Sequence, residues 1–170
     1  MMENILYNEK ISSNLTSALF LVLTMIFSLL MLWRLDTSGL ELLSGVFIFL
    51  TLLFLFYFIN YRMLQLQITS QDLRLKFGIF YWRVPLENIE RCGLDDLPLI
   101  KKYGGAGIHF MTVRGRYRAS FNFLEYPRVV VLLISKRGPV QDISFSTRRP
   151  EDIIRLIQGM LEDMQHSSVE

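Results

Sequence analysis

Two uncharged apolar runs near the start of the chain restrict its folding more than any other feature. From Ile11 to Trp33 there are 23 residues without a charge, and from Leu42 to Tyr61 another 20, mostly Leu, Phe, Ile, Val and Met. As helices they span roughly 35 Å and 30 Å, against a bilayer hydrocarbon core of about 30 Å. A helix packed into a soluble core keeps a polar face. Here Ser17, Thr24, Ser28, Ser44 and Thr51 are the polar side chains deep in the runs, and hydroxyls of this kind bond back to their own helix. A cleaved signal peptide has a basic leader and a shorter apolar stretch, whereas Met1 to Lys10 carries Glu3 and Glu9 against one lysine. The expectation is a membrane anchor over residues 1–61, with transmembrane helices at about 12–33 and 42–61.

Only Arg34 to Glu41 separates the runs, so the helices form an antiparallel hairpin with both chain ends on one side. Asp36-Thr37-Ser38-Gly39 has the composition of its turn. Arg62, Arg74 and Lys76 follow the second run closely, against Arg34 alone in the loop. By the positive-inside rule the soluble part and both termini face the cytoplasm. Neither run contains an ionisable Asp, Glu, Lys, Arg or His, so they offer no candidate for an ion pathway or proton relay, and transport is disfavoured. Thr24 and Ser28 give a small-xxx-small spacing that can mark a helix contact.

Residues 62–170 hold 16 basic and 12 acidic side chains, an excess of 16 − 12 = 4 positive charges. That is too few for nucleic acid, which calls for a dense basic stripe, but it suits anionic lipid headgroups. The single Cys92 forms no disulfide or redox pair. His109 and His166 are too far apart to suggest a metal site, and no cofactor motif is present.

After the second run the hydrophobic period changes to two. Leu64, Leu66 and Ile68 alternate with polar residues, as do Leu73, Leu75 and Phe77, with Ser70-Gln71-Asp72 as the turn between them. Gly78 precedes an aromatic strand from Ile79 to Val84, and a short strand lies around Ile89. Further strands are expected at Ile108 to Val113, Tyr117 to Leu124, Val129 to Ser135 and Asp142 to Phe145. Arg114-Gly115-Arg116 and Lys136-Arg137-Gly138-Pro139 supply turns. A helix at about 150–164 closes the chain: Pro150 suits its first position, Glu151 and Asp152 its first turn, and Ile153, Ile154, Ile157, Met160 and Leu161 share a face. The class is α+β, an apolar helical hairpin followed by an antiparallel barrel over 62–165 capped by the helix, with 166–170 a flexible tail.

Three segments resemble the bacterial pleckstrin-homology-like (PH-like) domains attached to membrane spans. Leu73-Arg74-Leu75-Lys76-Phe77-Gly78, with Val84-Pro85-Leu86-Glu87-Asn88-Ile89 after it, is similar to that family's second strand, glycine bend and start of the third strand. Tyr103-Gly104-Gly105-Ala106-Gly107-Ile108-His109 resembles its glycine-rich segment, with Ala106 and His109 replacing an aromatic and a basic residue. Ser146-Thr147-Arg148-Arg149-Pro150-Glu151-Asp152 resembles the approach to its closing helix. The resemblance implies an antiparallel PH-like split β-barrel and a non-enzymatic interaction module of a bacterial cytoplasmic membrane.

Lys101 and Lys102, with Arg114, Arg116 and Arg118, form the densest basic cluster and the candidate binding residues. Their expected partner is a membrane protein or a second copy of the chain, with anionic lipid headgroups as the alternative. The opposing expectation is a solvated surface, with Arg116 and Arg118 flanking an inward-facing Tyr117. Gly104, Gly105 and Gly107 lack the Gly-Lys-Ser/Thr ending of a P-loop, and a tight turn or close backbone approach accounts for them better. Asp95 and Asp96 are adjacent, so on an extended segment they point opposite ways and form no acid–base pair. No catalytic residue is assigned; a small membrane enzyme is the least favoured reading.

Overall fold

The computed structural model describes residues 4–97, 107–123, 125–137 and 139–167. Both apolar runs are helical, α1 over Asn14–Ser38 and α2 over Leu42–Asn60. Ser13 caps α1, its hydroxyl accepting from the Thr16 N–H at 2.9 Å. The Thr24 and Ser28 hydroxyls donate to the carbonyls of Phe20 and Thr24, each at 2.7 Å, the back-bonding expected of them. The turn differs from expectation. α1 continues through Asp36, Thr37 and Ser38, and Gly39, at φ +72°, starts the reversal. Thr37 satisfies its hydroxyl on the Trp33 carbonyl at 3.0 Å, and Arg34 pairs with Glu41 across the turn at 2.8 Å. Polar side chains that suit a loop are thus equally satisfied on the last helical turn.

The helices meet along an aromatic seam. Phe20 and Phe27 of α1 face Phe47, Phe54 and Tyr57 of α2, with Phe27 and Phe54 stacked at 5.3 Å and Phe20 and Tyr57 tilted at 5.5 Å. Steps of seven residues keep one helical stripe on the partner. The remaining surface is apolar and bare: Leu29 is 66%, Phe49 63% and Leu52 60% exposed. Both helices are long and apolar enough to cross a membrane.

A strand absent from the sequence reading precedes them. β1 (Ile5–Ser12) pairs antiparallel with β2 (Met63–Thr69), so that Ser12 opposes Met63 and Lys10 opposes Gln65. The helical pair is therefore an insertion between two hydrogen-bonded neighbours, and the globular domain begins before the expected anchor ends. β3 (Asp72–Phe77) and β4 (Phe80–Pro85) complete a four-stranded sheet in the order β1-β2-β3-β4. The period-two pattern holds in β2 and β3: Leu64, Leu66, Ile68, Leu73, Leu75 and Phe77 are all fully buried.

A 3-10 turn (Leu86–Asn88) leads to β5 (Ile89–Leu94), β6 (Gly107–Val113), β7 (Arg116–Asn122), β8 (Arg128–Arg137) and β9 (Val140–Ser146). These form a second sheet in the order β5-β8-β9-β7-β6. One pair here departs from the expected antiparallel pattern. β9 lies between β8 and β7 and runs parallel to β7, and among the described residues neither sheet closes on itself. Cross-strand chemistry accounts for the insertion: Arg118 opposes Asp142, Ser120 opposes Ser144 with the two hydroxyls 2.6 Å apart, and Phe121 opposes Phe145.

α3 (Pro150–Ser167) packs on β5, the 3-10 turn and β8, with Ile153 and Ile157 fully buried and Ile154, Met160 and Leu161 packed beside them as expected. The core fills the space between the sheets, with Val129, Val131, Ile143 and Phe145 facing the leucines of the first sheet. Glu9 of β1 ties the start of the chain to its end. It accepts from the Thr147 hydroxyl at 2.7 Å, the Arg148 N–H at 3.0 Å and the Tyr7 hydroxyl at 3.0 Å. Burial, then the Glu9 charge, push the Tyr7 phenol up to about 12.

Candidate functional site

Gly107 brings the start of β6 against the end of α2. At φ +108° it starts β6 against Tyr61, the residue that ends α2, and an added Cβ would lie 2.6 Å from the Tyr61 ring. Of the three glycines expected to make a tight turn or close approach, Gly107 makes the approach; Gly104 and Gly105 lie outside the described residues. From Gly107, packed against Tyr61, β6 leads to a two-residue turn at Arg114-Gly115. Strand rise puts that turn roughly 20 Å further along.

The turn has both central residues at positive φ, Arg114 at +50° and Gly115 at +79°. This is the type I′ pattern, which favours Asn-Gly. An arginine there is strained by about 1 kcal/mol.

Beside the turn is a cleft of about 380 Å³ whose lining includes Arg91, Arg114, Arg116, Arg118, Asp96 and Asp142. Four guanidiniums against two carboxylates leave 4 − 2 = 2 positive charges among these six. The expected cluster divides by partner. Arg116 donates through Nε to Asp142 Oδ1 at 2.6 Å and through Nη2 to the Gln141 carbonyl at 3.2 Å. Arg118 bridges Asp95 and Asp142, each at 3.3 Å, and is 7% exposed. The expectation of a solvated Arg118 is thus corrected: a guanidinium is tolerated there because two carboxylates meet it. Arg114 and Arg91 are exposed and have no acidic partner among the described residues. Lys101 and Lys102 lie outside the described residues.

Asp95, which local reading assigns to a loop, is a hub of this network. Its carboxylate, 3% exposed, also lies 3.0 Å from Arg128 Nη2, an ion contact without hydrogen-bond alignment. Burial lowers the Arg128 guanidinium's pKa, opposed by the Asp95 charge. The residues involved are 23 or more positions apart, so no local pattern announces them. At the opposite corner Asp72 receives Arg83 and Arg74. Its carboxyl is held below the ordinary range chiefly by the Arg83 hydrogen bond, against burial, with Arg74 adding to the effect.

Nucleophile and metal chemistry find little support in these surroundings. Burial pushes the Cys92 thiol up to about 12, which leaves it protonated and inert at neutral pH. His109 is half-buried on β6, and no group of three potential metal ligands occurs among the described residues. No family model and no curated protein matches the chain.

Proposed function

We propose that this chain is a membrane-tethered, non-enzymatic interaction module that presents its arginine-lined cleft to an acidic segment of a membrane protein partner. The observation that carries this reading is the opposition of two surfaces. Bare apolar helices leave one end of the sheets, and Arg91 and Arg114, without an acidic partner among the described residues, stand at the cleft beside the β6–β7 turn. Strands β6 and β7 thereby act as a spacer. Arg114 lies roughly 20 Å along β6 from the helix end, more than two Debye lengths of about 8 Å at physiological ionic strength. At that separation headgroup charge is screened, which favours a protein over lipid as the cleft's ligand.

Confinement by the helical pair raises the cleft's effective concentration toward other membrane components. The cytoplasmic side is part of this reading: Lys10, Arg62 and Lys76 adjoin the helix ends at the domain, while Arg34 in the opposite turn is neutralised by Glu41. Kinship with bacterial PH-like domains also belongs to it, supported by paired split sheets and a closing helix, with the parallel β7/β9 pair as a departure.

The test is crosslinking and co-purification of full-length protein from its native membrane, wild type against Arg91→Glu/Arg114→Glu. Both side chains are exposed, so folding is unaffected. The expected result is a protein, or a second copy of the chain, whose recovery falls at least tenfold in the variant. Equal recovery of the same partners would refute the cleft as the contact.

A further inference from the structure

A second basic surface lies where the helices join the first sheet. Strand register places Lys10, Gln65, Lys76 and Tyr81 side by side across β1, β2, β3 and β4 on the outer face. Lys10 and Lys76 flank Gln65, which sets their backbones about 10 Å apart. Both are exposed, as is Arg62, two residues past the end of α2, and none of the three has an acidic partner among the described residues. Arg62, Lys76, Gln65 and Asn60 contribute to a cleft of about 470 Å³ with Ile59 and Met63 as apolar wall. No acidic residue lines it among the described residues.

The neighbouring turn continues the apolar surface of α2 onto the domain. Ile79 is 72%, Tyr81 56% and Phe80 39% exposed, and Phe80 meets Phe56 of α2 edge-on at 6.4 Å. The turn is clamped to the helix end. The Ile79 N–H donates to Asn60 Oδ1 at 3.2 Å, and Gly78, at φ +59°, leaves no room for a side chain: a Cβ would lie 2.5 Å from the Asn60 carbonyl. Three cations and an apolar tip are therefore held at one fixed height beside the exit of a helix long enough to span a bilayer.

We propose that this junction is a binding site for the phosphate of an anionic glycerophospholipid. Arg62, Lys76 and Lys10 meet the headgroup, while Ile79 and Phe80 enter the interface beside its acyl chains. The occupant is lipid because the cleft is continuous with the apolar helix surface and its free charge is entirely positive. The site rests on the tether in the preceding reading, but not on the arginine-lined cleft. It gives the tether a preference among lipids and fixes the tilt at which the distal cleft is presented.

Full-length protein in detergent, titrated with phosphatidylglycerol or phosphatidylcholine and examined by native mass spectrometry, tests this directly. Wild type should bind phosphatidylglycerol at least tenfold more tightly. Each cation contributes about fivefold, so Lys10→Gln/Arg62→Gln/Lys76→Gln should weaken phosphatidylglycerol binding on the order of a hundredfold and abolish the preference. Arg91→Gln/Arg114→Gln should keep it. Unchanged circular dichroism and unfolding midpoint establish that the triple variant is folded, and Lys10→Arg/Lys76→Arg should restore binding. A triple variant that retains the preference, or a wild type without one, overturns the site. An alkaline carbonate wash of native membranes separates the two readings. Protein that stays in the pellet without a lipid preference refutes this site alone, whereas release into the supernatant refutes the tether and the site together.

Discussion

Arg114 illustrates how a single residue can record a conflict between folding and use. A left-handed backbone at φ +50° favours Asn or Gly, yet the chain places there an exposed arginine with no acidic partner among the described residues. Strain retained at an exposed position points to a role in contact. Arg114→Asn should therefore raise stability by about 1 kcal/mol, measured by denaturant unfolding, while lowering partner recovery in the crosslinking assay. A destabilised variant would remove the strain argument. Arg114, Arg116 and Arg118, grouped by their spacing in the sequence, line one cleft, but their division by partner is not legible there. Arg116 and Arg118 are held by Asp142 and Asp95, 26 and 23 residues away, and pairings at that range leave no trace in local spacing. The close approach of Gly107 was legible as a kind of role, but the partner, Tyr61, was not.

At the scale of elements, strands β2 to β9 and helix α3 fall close to where period-two and helical patterns place them. The failures are β1 and the order of the second sheet. β1 is an edge strand whose Ile5 and Leu6 are both exposed, so its alternation is blurred, and its partner lies beyond two helices. Its importance is tertiary: Ile11 is fully buried, and Glu9 holds the loop before α3. Because Ser12 opposes Met63, a two-residue Asn-Gly turn can replace the whole helical pair. A chain joining residues 4–12 through that turn to 63–167 should be soluble and fold cooperatively. Residues 63–167 alone should be less stable by about 2 kcal/mol or more, the order of one large buried side chain. Equal unfolding midpoints in urea would show that β1 adds nothing to the domain.

For the whole molecule, an aromatic series joins the helices to the core. Phe54 meets Tyr57, Tyr57 stacks on Tyr61 at 5.2 Å, Tyr61 meets Phe77 edge-on at 5.1 Å, and Phe77 meets Phe123 at 5.1 Å. With the Asn60–Ile79 bond this packs the end of α2 directly on the sheets. Orientation follows as a prediction: in intact cells a membrane-impermeant maleimide should label Leu40→Cys, 83% exposed in the helical turn, and should reach Gln71→Cys in the domain only after lysis. Native Cys92, buried and protonated, gives little background. The reverse labelling pattern would put the domain outside.

The sequence by itself determined the two apolar helices, the positions of eight strands and the closing helix, because hydrophobic period and turn chemistry act over a few neighbouring residues. Only the tertiary structure decided that a strand from before the helices completes the first sheet, that β9 runs parallel between β7 and β8, and which arginines meet carboxylates. Those outcomes depend on side chains far apart in sequence meeting across strands, where pairing energies and burial choose among topologies that local pattern leaves equivalent.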